Sequence, residues 1–152
     1  VPSPADIYNA IGNAVKYNTF TGCYIFSTNG NVYAIAVNDR QTTIAFLASY
    51  PASANVTANG QDFTRASEVG QKYNDIKNYF TTGKCPTYSS TSQNDGMESA
   101  TAFILDKYNS GMSLAKLDAN GVFKTLNPKS FDYVIPASGG QHTTAYKTEN
   151  CP

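Results

Sequence analysis

Ile7, Ala10, Ile11, Ala14 and Val15 recur at i, i+3, i+4, i+7 and i+8, the spacing of one helix face. Ser3-Pro4-Ala5-Asp6 precedes them with a capping serine, a proline in the first turn and an acid three positions after the cap, so a helix is predicted to start there. After Asn18 the period falls to two. The runs 23–27 and 32–38 are rich in Tyr, Ile, Val and Phe and flank Thr28-Asn29-Gly30-Asn31, and Asn-Gly is a strong hairpin signal. A third apolar run, 42–49, follows the polar turn Asn38-Asp39-Arg40-Gln41 and is expected to complete a three-stranded meander.

The stretch 51–60 is small and polar, and Asp62 is expected to open a second helix carrying Phe63, Ala66, Val69, Tyr73, Ile76 and Phe80 on one stripe and ending at Gly83. The Ser/Thr/Asn-rich residues 87–96 read as an exposed loop. Residues 97–108 fit both periods; the alternation Thr101, Phe103, Leu105 favours a strand. Runs at 112–117 and 122–126 flank Asp118-Ala119-Asn120-Gly121, a second Asn-Gly hairpin, and 131–135 supplies a further strand before Pro136. From Ser138-Gly139-Gly140 onward the tail reads as loop and sheet edge. The sum is an α+β fold: one antiparallel sheet of five to seven strands packed against one or two helices, in a single domain over residues 1–152.

Composition sharpens this in one direction. Of 152 residues, 41% are apolar, enough for a real core, but only 14% are charged, with eleven basic side chains balancing eleven acidic ones. No long-range field gathers polyanions or anionic lipid, and no apolar run is long enough to span a membrane. A surface wetted by Ser, Thr, Asn and Gln points to an exported protein, read here as a mature chain without its signal peptide. The sequon Asn55-Val56-Thr57 makes Asn55 a candidate glycan acceptor.

Three cysteines allow one disulfide and leave one thiol over. Cys85 and Cys151 each precede a proline in polar surroundings, whereas Cys23 lies in the apolar run 23–26, so Cys85–Cys151 is the favoured pair. It would close a loop of about 65 residues and contribute on the order of 4 kcal/mol. Cys23–Cys85 and Cys23–Cys151 stay open as alternatives. The spare cysteine reads first as a small buried hydrophobe.

Candidate chemistry is sparse. One His, no CxxC and no HExxH argue against zinc, and neither a GxxxxGK[ST] nor a GxGxxG cradle supports a nucleotide cofactor. No metal and no cofactor is expected. GxSxG is missing too, and a Cys23–His142 nucleophile pair has no local signature. Nothing among the carboxylates singles out a glycosidase pair. Metal-free RNA cleavage needs less: a base for the 2′-hydroxyl, an acid for the leaving oxygen and a cation for the phosphorane. Glu98 or Glu149, His142, and Arg40 or Arg65 could supply those groups.

His142-Thr143-Thr144-Ala145 followed by Glu149-Asn150-Cys151-Pro152 resembles the C-terminal histidine strand and closing cysteine of the small guanyl-specific fungal ribonucleases, and Asp6-Ile7-Tyr8-Asn9-Ala10-Ile11 resembles their N-terminal helix. The chain is also similar to the ribonuclease-like secreted effectors of plant-pathogenic fungi, many of which keep that fold without the enzyme's residues. The enzymes' Tyr-Pro-His, Glu-x-Pro and Asp-Arg-Val motifs do not occur. The resemblance therefore implies a secreted, non-enzymatic effector that engages a host protein or immune receptor, in the extracellular space or after entry into host cells. Two alternatives stand beside it: a small metal-independent ribonuclease acting on RNA, and a cell-wall polysaccharide-binding module using exposed members of the set of eleven Tyr. A monomer is expected.

Overall fold

A computed structural model describes residues 1–81, 93–135 and 139–151, the side chains of 150 and 151 excepted. It is an α+β fold. Five helices and five strands follow in the order α1 (Pro4–Lys16), β1 (Gly22–Phe26), β2 (Val32–Val37), α2 (Arg40–Ser49), α3 (Ala52–Asn55), α4 (Glu68–Thr81), α5 (Gln93–Lys107), β3 (Met112–Leu117), β4 (Phe123–Val134) and β5 (His142–Cys151). The strands form one antiparallel sheet in the order β1-β2-β3-β4-β5.

The first helix forms as its cap dictates. Ser3 Oγ accepts from the Asp6 amide while the Asp6 carboxylate accepts from the Ser3 amide, a reciprocal capping box. Ile7, Tyr8, Ala10, Ile11 and Ala14 are buried along the expected face. Both Asn-Gly hairpins also form, β1–β2 in the register Phe26↔Val32 and β3–β4 in the register Leu117↔Phe123.

Three expectations need correction. The meander stops at two strands, because 40–49 is helix α2 rather than a strand. Asp39 caps it, its carboxylate accepting from the amides of Gln41 and Thr42, and the buried positions Thr43 and Phe46 follow a helical spacing that the continuous apolar run conceals. The third strand of the sheet arrives instead from far along the chain, with Ala34 opposite Ala115. Residues 97–107 are helical, as most of α5, with Tyr108 in the turn that follows, and residues 93–96, expected as loop, form its first turn. Alpha 5 packs between α4 and the sheet, so Ala100, Thr101, Ala102, Ile104 and Leu105 are all buried. A helix enclosed on several sides has no polar stripe to betray its period.

The start of α4 moves as well. Asp62 lies before it in a turn, and Ser67 takes the cap, its Oγ accepting from the Gly70 amide at 3.0 Å. Val69, Tyr73, Ile76 and Phe80 form the expected buried stripe, while Phe63 joins the core from outside the helix.

The segments 122–126 and 131–135 belong to one long strand, β4, which runs through Pro128. The Ile135 amide donates to the Gln141 carbonyl, and with the continuous register this makes the odd-numbered residues of β4 the ones that hydrogen-bond to β5. Pro128, an even position, turns its missing N–H toward β3, which pairs with β4 only as far as Thr125. The proline therefore costs no ladder bond. The tail forms β5, an edge strand as expected, fastened to α5 by the Thr148 hydroxyl donating to Ser99 Oγ at 2.7 Å.

The core fills the space between this sheet and the helices. Tyr33, Ile35 and Leu114 face inward from β2 and β3 to meet Ile7 and Ile11 of α1, Ile104 of α5 and, behind it, Tyr73, Ile76 and Phe80 of α4.

Candidate binding surface

The five residues weighed for RNA cleavage stand apart. His142 opens β5, and its Nδ1 lies 2.5 Å from Asp132 Oδ2 with both side chains largely in solvent, 61% and 66% exposed. Glu149 is seven residues further along the same strand, about 23 Å away at the usual rise. It turns to the opposite face of the sheet, since its neighbour Thr148 points to α5. There its two oxygens pair with Lys129 and Lys147, each at 2.6 Å. Glu98 is nearly buried on α5, where it pairs with Lys116 at 2.6 Å and accepts from the Tyr33 phenol. Burial first, and the adjacent Glu98 second, push the Tyr33 phenol far above its usual range, so it stays a donor. Arg40 is spent on the end of α1, donating from Nε to the Ala14 carbonyl at 2.8 Å and from Nη2 to that of Val15 at 2.6 Å. Arg65 is exposed in the segment between Phe63 and α4. No cleft among the described residues gathers a His, a Glu and an Arg.

The remaining sequence candidates are placed as follows. Asn55 is drawn inward: it is 3% exposed and its Nδ2 donates to the Pro51 carbonyl at 2.9 Å. A glycan needs that nitrogen in solvent, so the fold as formed has no place for one there. Of the favoured Cys85–Cys151 pair, Cys85 and the side chain of Cys151 lie outside the described residues, as does the predicted stop at Gly83. Cys23 is a free thiol, half-buried against the core from β1, and burial, with a smaller contribution from Asp6, raises its pKa. Among the described residues no group of three His, Cys, Asp or Glu could hold a metal ion, and no helix is long and apolar enough to cross a membrane.

What periodicity did not single out is the outer face of the sheet. Tyr33, Ile35 and Leu114 point to the helices, so their alternates on β1–β3 and the start of β4 point away: Tyr24, Phe26, Val32, Ala34, Ala115, Leu117 and Phe123. Tyr24 is 64% and Phe26 78% exposed, the most uncovered aromatics among the described residues. The Tyr24 and Phe123 rings stack at 5.3 Å. Their strands are three spacings apart, about 14 Å, and Tyr24 stands in the row Tyr24–Ala34–Ala115–Thr125 while Phe123 stands two residues along, opposite Leu117, so the rings lean toward each other diagonally across β2 and β3. Small residues beneath large ones thus build a flat aromatic platform with no charged side chain in it. Beside the Tyr24 ring, Gly22, Ala34 and Ala36 leave a shallow hollow of about 230 Å³. The charges begin at the far strands, with the Lys129–Glu149–Lys147 cluster on β4 and β5.

The sequence signal for this face was the alternation itself: Tyr24 and Phe26 are apolar at the positions of β1 where a one-sided sheet would carry polar residues. Comparison with family models, with curated proteins and with solved structures finds no match to this chain.

Proposed function

We propose that the chain is a secreted, non-enzymatic binding protein of the effector kind, which engages a host protein or an immune receptor through the open face of its sheet. The observation that carries this reading is the exposed Tyr24–Phe123 stack with Phe26 beside it. Aromatic rings presented rigidly and without charge are the groups that dominate protein interfaces, because they bury much apolar area at small conformational cost. The dispersal of His142, Glu98, Glu149, Arg40 and Arg65 favours a binding role over the ribonuclease alternative, which needs three of them in one cleft. The low and balanced charge agrees with recognition by shape and apolar contact.

The test pairs two assays. Purified wild-type protein and the variants Phe26→Ser and Phe123→Ser are compared for cross-linking to proteins of a plant leaf extract, with any captured protein then titrated directly. Direct binding that weakens at least tenfold in both variants supports the reading. The same preparations are incubated with total RNA in EDTA beside His142→Ala. Cleavage by the wild type that the His142 variant abolishes would overturn it in favour of the enzyme.

A further inference from the structure

We infer that the free edge of β1 pairs with β1 of a second copy of this chain, antiparallel about a two-fold axis through Tyr24, joining two sheets into one. This inference does not rest on the function proposed above; it follows from the hydrogen-bond phase of the edge.

The Val37 amide donates to the Thr21 carbonyl and the Ser27 amide to the Asn31 carbonyl. With the register Cys23↔Ile35 and Ile25↔Tyr33, the odd residues of β1 spend their backbone groups on β2. The N–H and C=O groups of Gly22, Tyr24 and Phe26 therefore point off the sheet, and among the described residues β1 has no strand on that side. An unpaired edge is a template for another strand, and proteins that must stay apart blunt it with charges, prolines or bulges. Between Gly22 and Phe26 there is none of these. The opposite edge is guarded, since β5 carries His142, Lys147 and Glu149.

The occupant follows from shape. One antiparallel register engages all three outward residues at once: Tyr24 opposite its copy, and Gly22 opposite Phe26 in both directions. Phe26 is the most exposed aromatic among the described residues and stands two residues to one side of Tyr24. The hollow over Gly22, Ala34 and Ala36 lies two residues to the other side. The two-fold axis puts each ring over the partner's glycine, an aromatic covering an edge glycine. Gly22 itself cannot be filled from within, because its φ of +155° and a Cβ only 2.3 Å from the Ile35 carbonyl oxygen exclude a side chain. The Tyr24 ring leans inward to Phe123 and so clears the axis. No residue of β1 is charged, so the paired strands themselves bring no like charges together.

Area sets the strength. Two aromatic rings per copy bring only a few hundred Å² to the contact, well short of the roughly 800 Å² per partner of a standard stable interface. The dimer should be weak and reversible, leaving a monomer in dilute solution. Both aromatic platforms would then lie on the same side of one continuous sheet.

Sedimentation equilibrium of the wild-type protein from micromolar to millimolar concentration, with Tyr24→Lys, Tyr24→Glu and their equimolar mixture, tests this. The expected result is an apparent mass rising from one protomer toward two in the wild type, no rise in either variant alone, and a return of the rise in the mixture, where unlike charges face each other at the axis. Far-UV circular dichroism checks that both variants keep the fold. A wild type that stays monomeric throughout overturns the proposal, as does a dimer that survives in both variants. Loss in both without return in the mixture overturns the pairing about Tyr24.

Discussion

Lys116 Nζ lies 2.6 Å from Glu98 Oε1, joining the inner face of β3 to helix α5, and the Tyr33 phenol of β2 donates to the same oxygen. One nearly buried carboxylate is thus satisfied by two neighbouring strands. Removing it alone takes the shared acceptor from the Tyr33 phenol and from the Lys116 ammonium, whose side chain is 30% exposed and keeps contact with water. Glu98→Leu is expected to lower unfolding free energy by about 2 kcal/mol, read from the urea midpoint. Adding Lys116→Met should recover part of that loss, because the stranded charge goes with it. A double variant weaker than the single one would sink this account.

Glu149 responds to acid in a definite direction. Hydrogen bonds from Lys129 and then Lys147 hold its carboxyl down from the ordinary 4.5 to about 2. A carboxylate held low stabilises the fold above its unfolded value and loses that contribution as pH falls through the folded value, so the window runs from pH 4.5 down to about 2. A carbon-detected NMR titration of the Glu149 side chain should place its midpoint near the bottom of that window, and Lys129→Met should move it upward. An unchanged midpoint in the variant would show that Lys129 does not set it.

How much of this was legible in the sequence depends on what each segment packs against. Helix α1 could be read residue by residue, because its cap is local and one of its faces meets solvent. The two Asn-Gly hairpins were equally plain. Helices α2 and α5 were not: Thr43 and Phe46 of α2 sit in an unbroken apolar run, and α5 buries Ala100, Thr101, Ala102, Ile104 and Leu105 between α4 and the sheet. Enclosure removes the polar half of the pattern in α5, while α2 blurs it by exposing the small apolar residues Ala45 and Ala48. The candidate surface was hidden for a related reason, since Tyr24 and Phe26 look like core residues until the register turns them outward. The RNA-cleaving set could not be judged at all before Arg40 was seen capping α1 and Glu98 was seen paired with Lys116.

Asn55 illustrates how a sequon can be a structural residue. Its Nδ2 satisfies the Pro51 carbonyl at the start of the short α3, and its own carbonyl accepts from the Thr64 amide at 2.9 Å. Protein secreted from a eukaryotic host should show no change in mass after treatment with a peptide N-glycosidase. Asn55→Ala should cost roughly 1 kcal/mol, since the half-buried Pro51 carbonyl loses one of its two donors and keeps the Ala54 amide at 3.1 Å. A glycan detected at Asn55 by mass spectrometry would mean that this segment folds differently in the secreted protein.

Gly111 joins two parts of the chain that are far apart in sequence, and its substitution separates local strain from lost contact. Its carbonyl accepts from the amides of Asn38 and Asp39 at 2.8 and 3.0 Å, holding the start of α2 against the entry to β3. Its φ is +71°, and a Cβ there would sit 2.3 Å from the Asp39 carbonyl oxygen and 2.9 Å from the Thr43 amide nitrogen. Gly121 shares the left-handed backbone, with φ +76°, but a Cβ there meets nothing within 4 Å. Gly121→Ala should therefore cost only the conformational term, about 1 kcal/mol. Gly111→Ala must in addition push Asp39 away and disturb the carboxylate that caps α2, so a loss of about 3 kcal/mol is expected. Thermal and urea unfolding of the two variants, measured side by side, check the difference. Equal losses would mean that the contact between Gly111 and the α2 cap contributes nothing, and that backbone strain alone sets the cost at both glycines.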